Sequence, residues 1–196
     1  MTHPHDPSLP DLEQQDIELA EAAGRQRHRP LVRWAGWMSE LADQPQLAAL
    51  CASTALVGLA GGRRDILATG LQMLLAHAIA TQAKGWIKNR VRRVRPYVVL
   101  DEGRYERETG ETRHPRERSF PSGHTAGAVA VATVVALRHP AMAVPALALA
   151  AAASLVQLPR AKHYPSDLAA GTAIGLAGAG LSLGVGALLA GALRRR

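Results

Sequence analysis

Three short polar islands interrupt the apolar part of this 196-residue chain, and each holds residues able to handle an anion. The first is Lys88-Asn-Arg-Val-Arg-Arg-Val-Arg95-Pro96. Lys88 and Arg95 are seven residues apart, about two turns of a helix, a spacing that projects both cations toward one point. Pro96 disfavours further helix and sets the exit of the chain. The second island is Pro121-Ser122-Gly123-His124, at the mouth of a segment made almost only of Ala, Gly and Val. Proline suits the first turn of a helix, and Gly123 lets the backbone come close to a ligand. The free amides of such a helix start, with the Ser122 hydroxyl, make a cradle for phosphate. A plain N-cap explains Ser122 equally well but does not require His124. The third island runs from Gln157 through Arg160 to His163 and Asp167. The last two are four apart, so the carboxylate can hold one imidazole nitrogen and leave the other as nucleophile or base. A single His–Asp pair is more often structural. Two histidines beside a cationic patch and a phosphate cradle point to phosphoryl chemistry.

The elements that carry these islands are apolar blocks at residues 47–61, 66–83, 125–137, 141–158 and 168–193. A membrane-spanning helix needs about 20 residues, with a lower limit of about 17. The second, fourth and fifth blocks reach that length, and the first and third do so with their polar flanks. Most of the chain after Gln46 lies in such blocks, and every joint but the one at 84–124 is short, which favours a membrane bundle over a soluble one. The blocks are dense in Ala and Gly, as in Gly171-Thr-Ala-Ile-Gly175, and small residues let helices approach closely in lipid. The fold class expected is therefore all-α: a polytopic membrane helix bundle of about five transmembrane helices. An N-terminal interfacial helix precedes it, because Trp34 and Trp37 in residues 31–41 fall on one face. A soluble first turn packed on the bundle explains that pair as well. Residues 1–30 are polar without periodicity and read as a disordered tail, leaving 31–196 as one membrane-embedded domain. Residues 97–119 mix six acidic with five basic side chains and read as a solvated loop. The chain shows no internal repeat, no strand signal and no cleavable signal peptide. Helix parity puts all three islands on one side of the membrane.

Charge narrows the partners. The chain has 23 Lys and Arg against 16 Asp and Glu, a net charge of +7. That balance suits nucleic acid, anionic lipid or a phosphate substrate. The mixed signs of 97–119 argue against a nucleic-acid surface. Cys51, the single cysteine, sits inside an apolar block, so no intramolecular disulfide forms.

Lys88-x6-Arg95-Pro96, Pro121-Ser122-Gly123-His124 and His163-x3-Asp167, in this order, resemble the three-part signature of the type 2 phosphatidic acid phosphatases. That superfamily also holds the vanadium haloperoxidases and bacterial acid phosphatases, and the likeness covers residues 85–171. It implies that Lys88, Arg95, Ser122 and Gly123 bind phosphate and that His124 protonates the leaving group. It implies further that His163 attacks phosphorus to form a phosphohistidine, that Asp167 orients it, and that no metal or cofactor takes part. One position departs from the pattern. Gln157 stands where the family has arginine, and Val156 where it usually has serine. A neutral amide lacks the charged, two-pronged grip of a guanidinium. Arg160, three residues on, either supplies that guanidinium or anchors to lipid headgroups.

The resemblance implies a metal-independent phosphatase acting on a membrane lipid phosphate or diphosphate, since a soluble acid phosphatase would not need five apolar helices. Four alternatives stand beside it. A headgroup transferase would use the same machinery, and a weakly active or degenerate member would fit Gln157. A metal hydrolase using His124, His163 and Asp167 meets repulsion from the surrounding arginines, and a Ser122 nucleophile lacks the usual strand-to-helix elbow. The expected location is a bacterial inner membrane with the site on the extracytoplasmic side. Arg63, Arg64, Arg138 and the terminal Arg194, Arg195 and Arg196 mark the opposite side as cytoplasmic. Five spans then also place the polar N-terminus outside.

Overall fold

The computed structural model describes residues 9–195, without the side chains of 193 and 194. Helices dominate. They are α1 (Asp11–Gly24), α2 (Pro30–Ser39), α3 (Gln44–Ala60), α4 (Arg64–Lys88), α5 (Pro96–Glu102), α6 (Gly123–Arg138), α7 (Ala143–Leu155) and α8 (Pro165–Arg194). Two three-residue strands, β1 (Val91–Arg93) and β2 (Arg107–Thr109), form an antiparallel ribbon pairing Val91 with Thr109 and Arg93 with Arg107. The absence of strands expected from sequence is thus corrected. Strands this short leave too little alternation to read.

Helices α3, α4, α6, α7 and α8 form the bundle. Its central cluster takes Leu47 and Cys51 from α3, Met73, Ala76 and Ala80 from α4, Ala130, Val131 and Val134 from α6, and Ala179 from α8. Small residues set the contacts. A side-chain carbon on Gly70 would lie 2.3 Å from the Ala55 backbone nitrogen, and one on Gly171 would lie 2.7 Å from the Ser122 carbonyl oxygen. Polar pins add to this packing: Ser182 donates to the Gln72 carbonyl at 2.7 Å, and Arg138 donates to Thr69 and to Gln72.

The large apolar side chains face outward. Leu56 on α3, Leu71 on α4, Val144 and Leu149 on α7, and Leu188 on α8 are all exposed. A soluble bundle would bury leucine and leave alanine outside, so this inverted arrangement is that of helices facing lipid. Two helices, α4 and α8, are long and apolar enough to cross a membrane, and only 33% and 22% of their most apolar stretches are buried. The block at 141–158, expected to span by itself, is shorter: α7 and the turn before it cover Pro140–Leu155. Beyond that point the chain leaves the helix to build the third island.

The largest correction concerns residues 1–30. Residues 1–8 lie outside the described residues, but 11–24 are the helix α1 rather than an unstructured tail. Ile17, Ala20 and Gly24 share one face at spacings of three and four, and Ile17 and Ala20 pack with Val99, Tyr105 and Tyr164. A side-chain carbon on Gly24 would lie 2.7 Å from Leu100 and 2.9 Å from Ala161, so α1 rests directly on the segments that carry the islands. Residues 97–119 are likewise ordered, with Val98, Val99 and Tyr105 buried. Their charges are paired rather than facing solvent singly, Glu106 with Arg104 inside the segment and Glu106 and Glu117 with Arg92 from β1. Residues 31–41 do begin as a helix, α2, with Trp34 and Trp37 exposed.

Candidate active site

Bonds between every pair of islands bring the three together. Lys88 donates to the Pro121 carbonyl at 3.2 Å, linking the first to the second. The Ser122 amide donates to the Asp167 carbonyl at 3.0 Å, linking the second to the third. Arg95 donates to the Lys162 carbonyl at 3.1 Å and so joins the first to the third.

Lys88 and Arg95 do not share a helical face, contrary to the expectation from their spacing. Helix α4 ends at Lys88 with Asn89 as its C-cap, the chain passes through β1, and Arg95 is the N-cap of α5 with Pro96 in its first turn. The β-branched residues of Val91-Arg-Arg-Val94 favour the extended ribbon over another helical turn. Arg95 also donates to the carbonyls of Pro115 and Arg118, which aims its guanidinium. Burial pushes the Arg95 pKa down, with the nearby charge of Arg160 adding to the effect. Among the described residues, neither Arg95 nor Lys88 has a carboxylate partner. A third such cation, Lys84, is buried one turn before Lys88. Its Nζ lies 3.4 Å from where a side-chain carbon on Gly123 would be, so Gly123 leaves the room Lys84 occupies. Buried cations left without carboxylates are costly unless an anion joins them.

Ser122 is the N-cap of α6. Its Oγ accepts from the Thr125 amide at 3.4 Å and from the Thr125 hydroxyl at 2.9 Å, which leaves its own O–H to donate elsewhere. The first two amides of α6, those of Gly123 and His124, make no hydrogen bond among the described residues. They sit beside Lys84 at the positive end of the helix dipole.

His163 precedes α8 rather than lying on it. Tyr164 is the N-cap, and Asp167, at the third helical position, accepts from the Tyr164 amide at 2.9 Å. A capping turn therefore brings the two functional side chains together. Upstream, Ala161 adopts a left-handed conformation at φ 53°, a local cost that re-aims the chain, and its carbonyl accepts from the Tyr97 amide. His163 is buried, and its Nδ1 faces Asp167 Oδ2 at 3.4 Å. That is longer than an ordinary hydrogen bond, as catalytic contacts often are before substrate binds. Burial pushes the His163 pKa down to about 3. The charges of Arg95 and Lys88 reinforce the shift and Asp167 opposes it. The ring is thus neutral at neutral pH, the form with a nucleophilic lone pair.

Asp167 is itself held by Ser119 Oγ and by Arg93, whose Nη1 is 2.9 Å from Asp167 Oδ1. Arg93 is 1% exposed; its guanidinium lies 3.8 Å over the Tyr164 ring, and its Nη2 pairs with Asp16 at 2.7 Å. Burial works against that charge, but Asp167 and Asp16 more than offset it and hold the pKa above the ordinary arginine value.

His124 Nε2 is buried without a hydrogen-bond partner and stands 3.7 Å from Glu40 Oε2. Glu40 also meets Arg160 at 2.5 Å and Lys162 at 4.0 Å. Gln157 turns aside: its amide nitrogen donates to Ser39 Oγ at 3.1 Å and to the Ala153 carbonyl at 3.0 Å. Arg160 reaches the same Ser39 hydroxyl at 2.8 Å and lies 3.5 Å from Gln157 Oε1. Its guanidinium passes so close to α2 that a side-chain carbon on Gly36 would be 2.8 Å from its Nε. A cleft of about 340 Å³, lined by Arg27, Val32, Arg33, Trp37, Glu40 and Arg160, opens at this end. A larger cleft of about 550 Å³, between α1 and the ribbon, touches neither histidine.

Sequence reasoning missed Lys84, Arg93, Ser119, Glu40 and Asp16. Lys84 had a signal, since it stands four residues before Lys88 and so on the same helical face. Arg93 was one cation among several in its run. Among the described residues, no three His, Cys, Asp or Glu side chains gather as a metal-binding group.

Known proteins resemble this chain in sequence and in fold. The sequence model of the PAP2 superfamily matches residues 69–187. A decaprenylphosphoryl-5-phosphoribose phosphatase of Mycobacterium tuberculosis, in each of two strains, is 34% identical over 128 residues, covering 61% of this chain. The match spans 60% of that relative's own length. Among solved structures, a transmembrane PAP2 type phosphatidylglycerolphosphate phosphatase from Bacillus subtilis superposes with a TM-score of 0.62 at 20% identity, over 91% of this chain and 87% of that one. Aquifex aeolicus LpxE superposes with a TM-score of 0.60 at 22% identity, over 85% of this chain and 93% of that one.

Proposed function

The chain belongs to the PAP2 superfamily, and from that premise we propose that it is a metal-independent lipid phosphate or diphosphate phosphatase working through a phosphohistidine. The observation that carries this reading is the set of three cations without a salt bridge among the described residues, Lys84, Lys88 and Arg95, around the open α6 amides and the neutral His163. With Nδ1 facing Asp167, His163 attacks phosphorus through Nε2. The N–P bond forms as the P–O bond to the lipid breaks, and His124 gives a proton to the departing oxygen. Water then surrenders a proton to His124 and attacks phosphorus, the N–P bond breaks, and inorganic phosphate leaves. Lys84, Lys88, Arg95 and the helix amides hold the equatorial oxygens, so catalysis is mostly positioning and electrostatics. In this reading α3, α4, α6, α7 and α8 cross a bacterial inner membrane, α2 lies at its surface, and the site faces away from the cytoplasm.

Purified protein should release phosphate from lipid phosphates with chelator present. The substrate panel should include phosphatidic acid, a prenyl diphosphate and a prenyl-phosphoryl pentose phosphate, the last because the mycobacterial relative is named for such a compound. Headgroup exchange without free phosphate would replace the phosphatase with a transferase. Stable, monodisperse protein recovered without detergent would overturn the membrane assignment.

Arg160 is assigned the task of the family's missing arginine, because it and Gln157 converge on Ser39 at the His124 end of the site. Arg160→Ala should then lower kcat/KM on the order of 10²–10³-fold, the usual cost of a lost charge-assisted contact to a developing oxyanion. Adding Gln157→Arg should restore much of it. A loss below about threefold, a fraction of 1 kcal/mol, would make Arg160 a headgroup anchor instead.

A further inference from the structure

The sequence assigns no function to α1, yet its face against the site carries a buried acid. Asp16 is 7% exposed on an otherwise apolar face that includes Ile17, Ala20 and Gly24. A carboxylate is rarely buried without a dedicated set of donors, and Asp16 has three. Its Oδ2 accepts from Arg93 Nη2 at 2.7 Å, its Oδ1 accepts from the Ser166 amide at 2.8 Å, and the Ser166 hydroxyl donates to it as well. The Ser166 amide is one of the four unsatisfied donors at the start of α8, the helix that carries Asp167. Arg93 in turn spans both carboxylates, with Nη2 on Asp16 and Nη1 on Asp167.

We infer that Asp16 is a positioning residue that reaches the nucleophile through Arg93 and Asp167, so that α1 completes the active site. The inference rests on the phosphatase reading for its chemistry. When His163 takes on phosphorus, its ring gains a positive charge that Asp167 must balance. A buried Arg93 paired with Asp167 alone would already neutralise that carboxylate and leave the phosphoimidazolium without a counter-ion. Asp16 balances Arg93 instead, so the trio of Asp16, Arg93 and Asp167 keeps one net negative charge beside His163. Its hold on the Ser166 amide also fixes the first turn of α8, and with it the direction in which Asp167 meets Nδ1.

The test is Asp16→Asn, which keeps the shape and an acceptor oxygen but removes the charge. Turnover per folded enzyme should fall about 10–100-fold, the size typical of losing an outer partner that orients a reacting group. KM should stay within about threefold, because the phosphate cations are untouched; a tenfold change in either constant corresponds to about 1.4 kcal/mol. Affinity for orthovanadate, a phosphate mimic that bonds to an attacking nitrogen, should fall with kcat when measured by calorimetry. A purely structural Asp16 would lower the thermal midpoint while leaving kcat per folded molecule and vanadate affinity unchanged, and that result overturns the inference. If the wild type released no phosphate from any lipid yet vanadate affinity still dropped in Asp16→Asn, the phosphatase reading would fail and the positioning role would stand.

Discussion

His163→Ala should abolish phosphate release and with it any acid-labile phosphoenzyme trapped from a labelled lipid phosphate. Among the described residues of the site, His163 is the neutral, buried imidazole with a carboxylate at its back and cations around it. His124 cannot take over, because it faces Glu40 rather than the Asp167–Arg93 assembly. Loss of a nucleophile in other hydrolases costs on the order of 10⁶-fold in kcat, so the variant should sit at the background rate. Substrate binding should survive, since Lys84, Lys88 and Arg95 remain, and a lipid phosphate should still displace a fluorescent analogue from the vanadate-free variant. Turnover near the wild-type rate in folded His163→Ala protein would mean that another residue attacks phosphorus.

Arg93→Met should produce the largest loss of stability of any single change at the site. Methionine roughly fills the space but leaves Asp16 and Asp167 buried and facing each other's charge, with neutral donors from Ser166, Ser119 and the Tyr164 amide beside them. Removing one partner from a buried ion pair costs about 3–5 kcal/mol, far more than a surface pair is worth. Thermal unfolding in detergent should register that cost, and activity should fall with it. Arg93→Lys should recover only part, because an ammonium on a flexible stem cannot hold both carboxylates and the Tyr105 hydroxyl at once, as the planar fork does. Adding Asp16→Asn to Arg93→Met should cost less than it does alone, since the asparagine removes a charge that the methionine has already orphaned. A wild-type thermal midpoint in Arg93→Met would show that the trio contributes nothing to the fold.

The apolar blocks and the three islands were legible in the sequence because their information is local. Helix formation follows from runs of Ala, Leu, Val and Gly, and the ends of those runs are where polar side chains must gather. Lys88, Arg95, Ser122, Gly123, His124, His163 and Asp167 could be picked out by type and spacing, and hydrogen bonds between the islands bring them together. The local route failed where it assumed regular helix: Lys88 and Arg95 are joined by a strand and a cap, and His163 meets Asp167 across a capping turn.

Which distant groups share a buried charge follows from the packing alone. Asp16 meets Ser166 across 150 residues and Arg93 across 77, and no periodicity near either end announces such contacts. The polar helix α1 looked unstructured because its apolar face is three residues wide, too narrow to stand out until α5 and the His163 loop offer it a surface. Gln157 and Arg160 show the same limit from the other side. Their spacing from His163 was plain, but their direction, toward Ser39 and Glu40, depends on where α2 lies against the bundle. Local propensity and pattern follow from neighbours along the chain; the pairing of buried charges follows from the packing of the whole, because a carboxylate is stable only where its donors meet it.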